Sequence, residues 1–231
     1  MMKRIIIAAL LLVAILVGGT GCMKQNNESF RELALCYMEE KYGEPFVFVS
    51  SWGSSYANKG IQEIVVHCES QSEDILVRGV KEGDAYTFSD SYLAVKYKEQ
   101  MASAVEALSD EFFGESKVFY TVMKQALSPD LPANATFDEY STDPGSGIVV
   151  YVAVPRRAFS GDQVQAFAEM FHKTGMTASV QLLVTDDDTY SGLDMEKFNT
   201  CITKSKYDYC AIIHISSTKI KIYPGEDGLN G

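Results

Sequence analysis

PFVFVSSWGSSYANKGIQEIVVHCESQSEDILVRGV, residues 45–80, sets the fold class. It holds three short apolar runs: Phe46-Val47-Phe48-Val49, Ile64-Val65-Val66 and Ile75-Leu76-Val77. β-Branched and aromatic side chains dominate them, and each run is too short for an ordinary helix. The spacer "SWGSSYANKG" has the Gly, Ser and Asn of a loop. The stretch predicts an antiparallel meander with strands over 45–51, 61–69 and 74–80.

Helical signals flank the meander. Ser29-Phe30-Arg31-Glu32 is a capping-box pattern, in which the Ser oxygen and the Glu carboxylate satisfy free N–H groups. Phe30, Leu33, Ala34 and Tyr37 then fall on one helical face, and Gly43 is a stop. Residues 90–113 predict the longest helix, with Leu93, Tyr97, Met101, Ala104, Leu108 and Phe112 in one stripe and Gly114 at its end. A strand over 117–123 follows.

"SPDLPANATFDEYSTDPGSG", residues 128–147, holds three of the six prolines. It predicts a linker over 128–146, with a short helix opening at the Thr136/Glu139 pair. Beyond it, strands and helices alternate. Strands are expected over 148–154, 178–185, 209–215 and 219–223. One helix is capped at Ser160 and Gln163, turns Val164, Phe167, Ala168 and Phe171 inward, and stops at Gly175. Another covers 194–203, with Phe198, Cys201 and Ile202 on one side. The expected fold is α+β: mainly antiparallel sheet with packed helices, in two halves, 29–127 and 147–224.

The front end speaks to location. Lys3 and Arg4 precede an unbroken apolar run over 5–17, then Gly18, Gly19, Thr20 and Gly21. A charged start, a short apolar core and small residues make a signal peptide over 1–21. The run is short of the roughly 20 apolar residues that cross a bilayer. Gly19-Thr20-Gly21-Cys22 resembles the lipobox of bacterial lipoproteins, although Gly19 stands where that family usually has Leu. The resemblance implies diacylglycerol on Cys22 and cleavage just before it. Residues 22–28 then form a polar tether. The run "CYMEEKYGEPFVFVSSWGSS", residues 36–55, resembles small uncharacterised lipoproteins of Gram-positive, clostridial-type gut bacteria. That likeness implies a cell-envelope setting, on the extracytoplasmic face of the cell membrane, and no particular activity.

Composition narrows the function. Residues 1–21 carry two basic residues and no acid, so 18 basic and 31 acidic residues remain, a net charge of −13. Such a surface argues against nucleic acid and against electrostatic adhesion to anionic lipid. Membrane attachment is expected through the lipid on Cys22, where two acyl chains suffice for stable anchoring. Cys36, Cys68, Cys201 and Cys210 leave two readings open: a disulfide, with Cys201 and Cys210 the close pair, or buried thiols.

Catalytic signals are weak. His67 and Cys68 are strand neighbours and point to opposite faces. Cys210 and His214 share a face, but four strand residues set them on the order of 13 Å apart. His172 lies on a helix flank. All three histidines read as structural. No metal-ligand spacing or G-x-S-x-G elbow occurs, so neither metal nor cofactor is expected. "TDDDTYSGLD" puts Tyr190 and Ser191 where an EF-hand loop needs an oxygen ligand and Gly, and reads as a solvated acidic loop. Trp52, the only tryptophan, is a candidate partner contact, with a rim position over the sheet as the plainer reading. Arg156 and Arg157, ahead of a helix start, are candidate anion-binding residues. The leading expectation is a non-enzymatic lipoprotein that binds a protein or envelope component. The alternative is an extracytoplasmic envelope enzyme with catalytic residues assembled from distant positions.

Overall fold

The computed structural model describes residues 29–52, 60–122 and 131–225, with Trp52 described by its backbone. The signal segment, the tether, Cys22, the Trp52 side chain and residues 123–130 of the second-half approach lie outside the described residues.

Helix α1 (Phe30–Tyr42) begins as its sequence dictates. Ser29 Oγ accepts from the Glu32 N–H and the Glu32 carboxylate accepts from the Ser29 N–H at 2.8 Å. Gly43 ends it at a φ of 71°, a left-handed conformation that glycine adopts without strain. Ala34 and Met38 are fully buried on the face that meets the first sheet.

That sheet is an antiparallel meander in the order β1 (Val47–Trp52), β2 (Ile61–His67), β3 (Ile75–Glu82), β4 (Ala85–Asp90). The three predicted strands are present. The fourth was not expected: Gly83, at φ 66°, opens a two-residue turn that returns the chain as Ala85–Asp90. Glycine at the first central position is a hairpin signal, but Thr87 and Ser89 dilute the apolar pattern behind it. Ile64, Val66, Ile75 and Val77 face α1 and are buried. Gly79 is required there: a Cβ on it would stand 2.5 Å from the Phe30 ring.

The long helix expected over 90–113 is two, α2 (Tyr92–Lys96) and α3 (Lys98–Phe113), separated at Tyr97. Tyr97 is drawn aside by a 2.6 Å bond from its hydroxyl to the Ala135 carbonyl and by rings of Phe137 and Tyr140. After that break the buried positions are Met101, Val105, Ser109 and Phe113. This is one residue out from most of the expected stripe. Ser109 is accommodated by a 2.8 Å bond to the Val105 carbonyl.

The expected linker is packed from Leu131 onward. Leu131, Ala135 and Tyr140 are buried, and α4 (Phe137–Thr142) opens with the Thr136/Glu139 capping box. Tyr140 bonds the Tyr120 hydroxyl at 2.6 Å.

The second sheet runs β5 (Lys117–Tyr120), β6 (Val149–Pro155), β7 (Ala178–Thr185), β8 (Tyr209–Ser216), β9 (Lys219–Pro224). Among the described strands only β6 and β7 pair in parallel, because α5 (Gln163–Lys173) crosses between them. The other pairs are antiparallel. With the meander, this is the expected α+β class with mainly antiparallel sheet.

Strand alternation gives the second sheet two different faces. Its inner face carries Val150, Val152, Val154, Val180, Leu182, Val184, Ala211, Ile213 and Ile215 against Val164, Phe167, Ala168 and Phe171 of α5. The same buried cluster continues through α3 to α1 and the first sheet. Its outer face is covered at one end by α6 (Asp187–Ser191) and α7 (Met195–Thr203). Phe198 of α7 sits edge-on to Phe119 and Tyr151, over Ala153 and Leu183.

Candidate functional site

That cover stops halfway along the outer face. Towards the starts of β6 and β7 the same face presents Val149, Ser179, Gln181, Ile212, His214, Lys219, Lys221 and Tyr223, placed there by strand alternation. None belongs to the cluster under α7. Here a groove of about 670 Å³ opens, floored by strand ends and walled by Pro144 and Gly147. Its size is that of a small-ligand site.

Register builds its polar row. His214 lies opposite Ser179 on β7 and opposite Lys221 on β9. Lys219 lies opposite Ser216. Side chains directly opposite on an antiparallel pair stand about 5 Å apart at Cβ. The His214 ring meets Tyr223 edge-to-face, with centroids 5.4 Å apart. His214, Lys219, Lys221 and Tyr223 are exposed, and no acid is among the described lining residues. Asp143 stands beside Pro144, with its carboxylate turned onto the Gly145 N–H.

Among the described residues the groove holds no assembled nucleophile. No hydrogen bond joins His214 to Ser179 or to a carboxylate among the described residues. A base without an orienting partner lacks the arrangement that activates a serine. What the groove offers is positive charge, one aromatic ring and an apolar floor.

The sequence-predicted residues lie elsewhere. Arg157 is at the opposite ends of β6 and β7, in the short 3-10 turn Arg156–Ala158. Its guanidinium binds the Glu115 carboxylate and, at 2.8 Å, Asp187. These two hydrogen-bonded carboxylates hold its pKa above the ordinary arginine value. Both partners are acids of this chain, which leaves Arg157 neutralised rather than poised for an external anion. Arg156 is exposed beside it. Trp52 ends β1 at the register position opposite Glu63. Trp52 thus belongs to the first sheet, whereas the arginine pair follows β6 of the second.

Other sequence candidates take structural roles. Asp186 caps α6 by accepting from Thr189 N–H at 2.8 Å, and Asp194 caps α7 through Lys197 N–H at 2.8 Å. Lys117 donates to the Tyr190 and Ser191 carbonyls at the far end of α6. Among the described residues no group of His, Cys, Asp and Glu is placed to hold a metal ion. Cys68, Cys201 and Cys210 are free thiols and all three are buried, while Cys36 is half-buried on α1. Burial pushes the pKa of those three up, away from the reactive thiolate. His67 pairs with Asp74 at 3.1 Å.

His214, Lys219 and Lys221 were missed as a group. "KIKIYP" shows that Lys219, Lys221 and Tyr223 share a face, but only register reveals that His214 stands beside them. Comparison with known proteins finds no matching family model, curated protein or solved structure.

Proposed function

We propose that this chain is a lipid-anchored cell-envelope lipoprotein whose folded part is a non-enzymatic binding module. The front end supports the anchoring: Gly19-Thr20-Gly21-Cys22 follows a short apolar run and precedes a polar tether. No helix among the described residues is long and apolar enough to cross a membrane. In this reading the lipid on Cys22 supplies attachment at the extracytoplasmic face of the cell membrane.

One observation carries the binding role: half of the outer face of the second sheet is left open as a groove. Its cationic and aromatic side chains face outward, whereas the neighbouring half is sealed by α7. A sheet face with Ile212 at 39% and Tyr223 at 49% exposure keeps apolar surface available for contact.

Hydrogen–deuterium exchange of the mature chain, with and without cell envelope isolated from the native host, tests this. Protection is expected on β9 and the end of β8, and none on the solvent face of α5. Protection confined to α5, or none at all, would remove the groove as the binding face. Turnover of an envelope substrate, abolished by one point substitution, would favour the enzyme alternative.

A further inference from the structure

We infer that the groove takes an organic phosphate monoester, its charged end at the His214–Lys221 row and its apolar body along Tyr223 and Val149. This rests on the reading above that the groove is the binding face. Two features point to the ligand's charge. The chain has a net charge of −11 with its leader included, yet no acid is among the described residues that line this groove. Lys219 and Lys221 pair with no carboxylate among the described residues. The same is true of Arg156 and Lys173, but Lys219 and Lys221 stand on one strand face beside His214 in a groove.

The number and type of cations narrow the anion. An arginine fork grips carboxylate and phosphate alike, and no arginine is among the described lining residues. Two lysine ammonium groups act as point charges and suit an anion with several equivalent oxygens. A phosphate monoester carries close to two negative charges at neutral pH, which two lysines balance. Lysines on an edge strand also discourage pairing with another sheet. That role accounts for neither His214 nor the Tyr223 ring beside it.

His214 adds a hydrogen-bonding imidazole to the row. It stands opposite Lys221 on β9 and Ser179 on β7, with Tyr223 against its ring, so a ring N–H placed there can donate to an anion held by the lysines.

Calorimetric titration of the detergent-solubilised mature lipoprotein with phenyl phosphate tests the inference. Saturable binding is expected that weakens with salt and falls at least about tenfold in Lys219→Gln/Lys221→Gln, the loss of close charge–charge attraction. These side chains are exposed, so an unchanged thermal midpoint verifies that the variant is folded. Equal binding of phenyl phosphate by parent and double variant would overturn the inference. So would binding of neutral phenyl glucoside in its place, which would still leave the groove as the binding face. Failure of both probes also overturns it, while the exchange experiment with whole envelope decides the groove separately.

Discussion

Asp90 is buried to 2% exposure at the end of β4, yet every direction around it is answered. Tyr37 and Tyr42 donate their hydroxyls at 2.7 Å, Lys41 its ammonium at 2.8 Å and Tyr92 its N–H at 3.0 Å. Burial first, and then the Asp90 charge, push the Tyr37 and Tyr42 pKa values far up, so both hydroxyls remain donors. The cluster fastens α1 to the first sheet. Asp90→Ala leaves Lys41 largely buried and unpaired, so urea denaturation should show a loss of about 3–5 kcal/mol. Arg157→Ala, by contrast, breaks a half-exposed and screened network and should leave the midpoint almost unmoved. Gly79→Ala forces a methyl group against Phe30, and overpacking of this kind costs about 1–3 kcal/mol. None of these contacts was legible beforehand. Tyr37 and Tyr42 stand 53 and 48 residues from Asp90, and only the folded sheet brings them together.

Elements whose signals are local were legible. Ser29/Glu32 and Thr136/Glu139 each close a capping box within four residues, and both helices start where those pairs lie. The inward face of α5 also followed from 3.6-residue spacing alone. The β4 strand and the break at Tyr97 did not, because one rests on pairing with β3 and the other on contacts with α4. The capping carboxylates set a pH dependence. Hydrogen bonds from Ser29 to Glu32, Thr136 to Glu139, Thr189 to Asp186 and the Lys197 N–H to Asp194 lower these pKa values in the folded chain. Their stabilisation is complete above the ordinary values of 4.5 for Glu and 3.8 for Asp, and is lost as pH falls through the lower folded values. Thermal midpoints should therefore be level down to that range and decline below it. A midpoint that rises on acidification would contradict the capping account. Phe198→Ala opens a cavity beneath α7 and should cost about 3–5 kcal/mol in urea denaturation.

At the scale of the whole molecule, the proposed function divides the labour between an attachment point at Cys22 and a binding surface on the second sheet. The α+β class was legible because apolar runs and Gly-rich spacers report strands and turns without tertiary information. The groove was not legible. Its floor comes from strands separated by α5, α6 and α7, and its charge pattern exists only through the pairing of β7, β8 and β9. The proposed attachment point is the reverse case, since every residue that suggests it lies within residues 1–28. Cys22 precedes the first capped helix, so Cys22→Ala should release the chain from the membrane without changing its unfolding midpoint. The central claim is that this binding module is held at the envelope by lipid. The mass of the N-terminal peptide, taken from membrane-extracted protein of the native host, tests it most directly. The account predicts a peptide that begins at Cys22 and carries a diacylglyceryl group. A free thiol at Cys22, or a mature end at another residue, would contradict it.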